Sequence, residues 1–172
     1  ERCVPRLEDA LVAFRASLQE YTRERVPLGW ANAQKNIASA LLVLAVHGGD
    51  MTLVDQAIDA YRISLEESTR ERVPVTWAAT QFSLATTLSV LGGMNDDTGM
   101  LEQAVEAFRA SLQERTPERM PLDWSRTQEG LGKTLRKLAE LKGDMALLEQ
   151  AVEAYRALLR ERSRESMPHA WA

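Results

Sequence analysis

Apolar residues recur along this chain in steps of three and four, in two alternating kinds of stretch. The first kind reads Leu7, Ala10, Leu11, Phe14, Leu18, Tyr21. It returns as Val54, Ala57, Ile58, Tyr61, Leu65, then as Leu101, Ala104, Val105, Phe108, Leu112, and last as Leu148, Ala151, Val152, Tyr155, Leu159. Such spacing places one apolar stripe along a helix. The second kind reads Trp30, Ile37, Ala38, Leu41, Leu44, Ala45, with counterparts Trp77, Leu84, Ala85, Leu88, Leu91 and Trp124, Leu131, Gly132, Leu135, Leu138. No segment alternates with period two, so no strand is expected. The pattern predicts an all-α chain of seven helices plus the first residues of an eighth, with residues 1 to 6 irregular.

Polar and special residues punctuate these stretches. Asp50, Asp97 and Asp144 precede three helices of the first kind, where a carboxylate can accept hydrogen bonds from free first-turn N–H groups. Those helices should stop before Val26, Val73, Met120 and Met167, because a residue preceding proline is pushed out of the α region. Pro27, Pro74 and Pro121 suit a first-turn position. Gly29, Thr76 and Asp123 are alternative N-caps for helices starting near the tryptophans. Gly48-Gly49, Gly92-Gly93 and Gly143 should supply the left-handed turns that end them.

The punctuation is periodic. Arg25-Val26-Pro27-Leu28-Gly29-Trp30-Ala31 is echoed by Arg72-Val73-Pro74-Val75-Thr76-Trp77-Ala78, by Arg119-Met120-Pro121-Leu122-Asp123-Trp124-Ser125, and by Ser166-Met167-Pro168-His169-Ala170-Trp171-Ala172. Proline and tryptophan recur every 47 residues without slippage. A fixed period of this size is the mark of a stacked-repeat protein, which buries its core between neighbouring repeats.

Composition narrows the function without naming it. A net charge of −4 argues against the basic footprint of a nucleic-acid binder. The single Cys3 cannot form an internal disulfide. No apolar run approaches the ~18 residues of a membrane span. A cytoplasmic setting is expected, although the lack of a signal-peptide pattern says nothing about the parent protein. Both ends read as cuts through a longer array. His47, His169 and Cys3 lack a partner motif, and Asn95-Asp96-Asp97 lacks calcium-loop spacing. No enzyme, metal or cofactor is expected.

The two kinds of stretch resemble the tetratricopeptide repeat family over nearly the whole chain, 1–172, read as a single repeat domain. Gln81-Phe82-Ser83-Leu84-Ala85-Thr86-Thr87-Leu88 looks like the family's first helix. Leu148-Glu149-Gln150-Ala151-Val152-Glu153-Ala154-Tyr155 looks like its second. The family period is about 34 residues. With Ala85 and Ala104 at the small-residue positions, the extra residues here fall around the inter-helix loop and the Arg-x-x-Pro connection. Long repeats of this kind are similar to those of kinesin light chain and of bacterial signalling proteins. The resemblance implies a right-handed superhelical solenoid of antiparallel helix pairs, its concave groove lined by the first helices.

Carried over by register, the groove positions are Asn32, Lys35, Asn36, Ser39, Leu42 and Val43; then Ala79, Phe82, Ser83, Thr86, Ser89 and Val90; then Arg126, Glu129, Lys133, Arg136 and Lys137. Unlike the stripes, they do not repeat in chemistry. A basic end beside an apolar middle suits an acidic peptide or a C-terminal carboxylate. In the family's carboxylate clamp, Lys35 and Arg126 would stand at Lys positions, but Ser39 and Ser83 stand where Asn is expected and Gly130 where Arg is.

Other repeated residues read as framework. The tryptophans fill the core, although an aromatic cage is the functional alternative. Gln34, Gln81 and Gln128 tie a loop, or else form an amide ladder. Arg15, Arg62, Arg109 and Arg156, with Glu24, Glu71, Glu118 and Glu165, are expected in ion pairs between repeats or on solvated faces. The expected role is a non-catalytic protein-binding scaffold. Self-assembly through exposed terminal helices, and service as the sensor arm of a larger signalling protein, are the alternatives.

Overall fold

A computed structural model describes the backbone of residues 3–166 and the side chains of residues 6–161. Over these residues the chain forms seven helices: α1 (Cys3–Glu20), α2 (Pro27–Gly48), α3 (Thr52–Glu67), α4 (Pro74–Asn95), α5 (Thr98–Leu112), α6 (Pro121–Lys142) and α7 (Met145–Ser166). There is no strand among the described residues. The eighth helix expected from Pro168, with Trp171, lies outside them. The first helix starts earlier than the pattern implied: Pro5 sits in its first turn rather than ahead of it, a position where proline lacks no needed donor.

Helices α2, α4 and α6 all begin on their prolines. The first intrahelical bond is donated by the tryptophan N–H, from Trp30 to Val26, Trp77 to Val73 and Trp124 to Met120, at 2.9, 2.9 and 2.8 Å. Val26 and Met120 have φ of −139° and −146° and bring no side-chain cap. Gly29, Thr76 and Asp123 are therefore not N-caps. The pre-proline residue is held extended and the proline already has helical φ, so the helix starts ahead of them.

Between an odd helix and the following proline the chain makes one tight turn. Val26 N–H reaches Thr22 C=O, Val73 reaches Thr69 and Met120 reaches Thr116, at 3.0, 3.0 and 2.9 Å. The Thr22 and Thr116 hydroxyls also accept from Arg25 and Arg119 N–H, each at 3.3 Å. These threonines recur at the repeat spacing. They organise the turn that the proline ends.

The acidic caps form as the pattern predicts. Asp97 accepts from Met100 N–H at 3.0 Å, Asp144 from Ala146 N–H at 2.8 Å, and Asp50 from Thr52 N–H at 3.0 Å. Gly49 and Gly143 close α2 and α6 with φ of 69° and 64°. Gly92 and Gly93 do not close α4, which runs on to Asn95, and Asp96 takes the left-handed turn at φ 53°. Gly92 serves contact instead. A Cβ there would lie 2.9 Å from Met100 Cβ and 3.1 Å from Asp97 O, so only glycine lets α4 meet the start of α5.

The chain divides into two compact units, Glu1–Leu84 and Ala85–Ala172, with the division inside α4. In the first, α2 packs on both α1 and α3. Its core includes Ala31, Ala38, Leu41, Ala57 and Tyr61. In the second, α6 packs on α5 and α7, around Leu88, Leu101, Ala104, Phe108 and Leu135. A buried aromatic such as Phe108 contributes about 1.5–3 kcal/mol of transfer free energy.

Candidate binding surface

Burial of one stripe turns the other faces of α2, α4 and α6 outward. Asn32, Ser39, Val43, Thr86, Val90, Arg126, Glu129, Lys133 and Arg136 are exposed. Lys35, Asn36, Leu42, Ala79, Phe82, Ser83, Ser89 and Lys137 are half-buried. Every candidate groove residue thus lies outside the fully buried core, and each unit carries its own set.

In the first unit, Asn32 and Asn36 line a cleft of about 470 Å³ between α1 and α2, with Phe14, Tyr21 and Val26. Ser39 is engaged on both sides, donating to Lys35 C=O at 3.1 Å and lying 3.1 Å from the Tyr61 hydroxyl. In the second unit, α6 carries the basic face. Lys133 donates to Glu129 at 2.5 Å, and this bond raises its pKa. Arg136 pairs with Glu140, and Lys137 with Asp96 at 2.6 Å. The basic end is therefore partly neutralised by its own carboxylates. Arg126 is exposed and has no ion pair among the described residues. Such exposed pairs are worth only about 0–1 kcal/mol each, so an incoming carboxylate can replace one.

Behind this face lies Arg115, buried at 5% exposure, whose Nη1 donates to Thr127 Oγ1 at 3.1 Å. Burial lowers its pKa; Asp123 opposes that shift and the Arg126 charge adds to it. Sequence reasoning passed over Arg115. Its signal is a break in the repeat, because Ser68 stands one period earlier.

Gly130 sits where the family clamp would place Arg. A Cβ there would lie 2.6 Å from Phe108 Cζ, so this position belongs to the packing between α5 and α6. Trp124 is buried. Trp30 and Trp77 are half-buried, and the Arg23 guanidinium lies 5.3 Å from the centre of the Trp30 ring. A single cation over one ring at this distance gains about 0.5–1 kcal/mol when exposed.

One framework expectation needs correction, that of the glutamines; the repeated arginines and the glutamates before the prolines lie on solvated faces, as expected, wherever they are described. Gln34, Gln81 and Gln128 make no loop hydrogen bond among the described residues. Gln128 instead borders a cleft of about 590 Å³ with Leu131, Leu135 and Ala154. The threonines and the Glu67–Arg72 and Glu114–Arg119 pairs, at 2.8 and 3.0 Å, hold the turns in their place. The carboxylates in those pairs are Glu67 and Glu114, not the glutamates three residues before each proline. Glu71 has its pKa lowered first by its own backbone N–H and then by the Thr69 hydroxyl. Arg62 and Arg156 pair within their own helices, with Asp59 at 3.6 Å and Glu153 at 2.7 Å. Arg109 reaches from α5 to the Gln150 amide on α7.

No family model matches this chain, and no curated protein or solved structure matches it. Among the described residues no helix is long and apolar enough to cross a membrane. His47 is exposed, its Nδ1 bonded to Val43 C=O at 2.8 Å on its own helix. His169 and the Cys3 side chain lie outside the described residues.

Proposed function

We propose that the chain is a tetratricopeptide-like solenoid of antiparallel helix pairs acting as a non-catalytic binding module, and that α6 takes an acidic protein segment. Pairing in opposite directions is supported by the order of contacts between α2 and α3. Ser64 bonds to Ala31 C=O at 2.7 Å, while the earlier Tyr61 meets the later Ser39. The observation that carries the binding reading is the contrast on α6. Its buried stripe repeats that of α2 and α4, while its outer face gathers Arg126, Lys133, Arg136 and Lys137. Ligand carboxylates would pair with Arg126 and displace Glu129, Glu140 and Asp96 from the others, exchanging weak exposed pairs for a set gathered by one partner.

The test is calorimetry with an Asp/Glu-rich peptide, prepared both with a free C-terminal carboxylate and amidated. The triple change Lys133→Glu, Arg136→Glu and Lys137→Glu should weaken binding at least tenfold with the helix content unchanged. A dissociation constant unaltered by the triple change would reject the site. Preference for the free carboxylate would assign chain-end recognition.

A further inference from the structure

On the reading that α6 takes an acidic segment, we infer that this segment is extended and alternates acidic with large apolar residues, and that Val90 and Met94 of α4 select it. Both helix faces concerned belong to the second unit. Val90 and Met94 are 58% and 68% exposed and stand one helical turn apart on α4. By the 47-residue period Val90 stands where α6 carries Lys137, and Thr86 where it carries Lys133. The apolar pair therefore occupies the face of α4 that corresponds to the basic face of α6. A lone exposed apolar residue is ordinary. Two in one row beside a row of cations make a surface with two chemistries.

Two contacts hold the rows side by side. The Ser89 and Thr134 hydroxyls lie 2.7 Å apart. Asp96, just past the end of α4, pairs with Lys137 at 2.6 Å. These contacts bracket Val90 and Met94 and set them alongside residues 134–137 of α6. Gly93 leaves this side of α4 open, with no heavy atom within 4 Å of a Cβ built there. The spacing then sets the form of the partner. Lys133 to Lys137 and Val90 to Met94 are each one i, i+4 step, about 6 Å along a helix. In an extended segment successive side chains point to opposite sides, and those on one side recur roughly every 6.6 Å. Laid between the rows, an alternating segment sends each acid to α6 and each apolar side chain to α4. Asp96 already holds one such acid position against Lys137, and a ligand carboxylate would take it over. A run of acids would instead turn every second carboxylate onto Val90 and Met94, where it loses water without gaining a partner.

Fluorescence anisotropy on the full chain with two labelled peptides of equal composition tests this. One peptide alternates glutamate and leucine; the other gathers the same residues into a glutamate block and a leucine block. The alternating peptide should bind about tenfold tighter. Val90→Gln together with Met94→Gln should remove that preference. Both side chains are exposed, so the double change leaves the fold intact, which circular dichroism would verify. A preference that survives the double change would overturn the inference. Equal binding of the two peptides, lost with the Lys133→Glu, Arg136→Glu and Lys137→Glu change, would overturn it too while leaving α6 as the acid-binding face. Binding of neither peptide, or binding indifferent to that charge reversal, would reject both.

Discussion

The hydrogen in place of a side chain at position 130 decides how closely α6 approaches α5. A methyl group there would meet Phe108 Cζ and Cε1 at 2.6 and 2.7 Å, and Phe108 is 1% exposed with nowhere to move. Gly130→Ala should therefore destabilise the chain by about 1–3 kcal/mol, the usual cost of forcing extra volume into a packed core. Gly93 is the internal comparison. It lies within α4 with no heavy atom within 4 Å of an added Cβ, so Gly93→Ala should stabilise by about 0.5–1 kcal/mol through helix propensity alone. Urea midpoints of the two variants should shift in opposite directions. The sequence pattern placed Gly93 in a helix-ending turn, whereas it lies inside α4, and gave no sign of the Phe108 ring against Gly130. At Gly130, where the clamp resemblance implies Arg, the Phe108 ring leaves no room for a side chain.

The turn between α3 and α4 shows how a repeated element is held. Glu67 accepts from Arg23 at 2.8 Å and from Arg72 at 2.8 Å, tying this turn to the one between α1 and α2. Hydrogen bonds from Arg23, then from Arg72, hold its carboxyl below the ordinary 4.5. A carboxyl with a depressed folded pKa contributes stability that is present above its unfolded pKa and fades as pH falls through the folded value. Glu67→Gln should lower the urea midpoint at neutral pH by a small amount, since exposed pairs are weak. The gap to the parent chain should close below about pH 4, the unperturbed carboxylate range. A gap that persists in acid would mean the side chain acts by packing. The proline and arginine of this turn were legible from their spacing. The turn that starts three residues before the arginine was not legible from that motif, although Thr22, Thr69 and Thr116 keep the same period.

At the scale of the molecule, the two units differ in how fully α1 of the first and α5 of the second are covered. Leu101 and Phe108 of α5 are 0% and 1% exposed, while Leu7 and Phe14 at the same positions of α1 are half-buried. Local opening is easiest where buried apolar contacts are fewest. Amides of residues 7–18 should accordingly exchange with deuterium faster than those of α3 and α5. Equal protection would show that α1 is covered in solution.

The sequence by itself determined the helical stretches, their period, the aspartates at the starts of α3, α5 and α7 and the glycines that end α2 and α6, because those follow from local spacing and from the backbone limits of proline, glycine and aspartate. It also separated the repeating framework from the face that varies. Only the tertiary structure decided which charges on that face are already paired, that Arg115 is buried behind it, and that Gly130 and Gly92 serve close approach. Those outcomes depend on distances between residues tens of positions apart, such as Lys137 to Asp96 or Arg23 to Glu67. Periodicity within one helix carries no information about them.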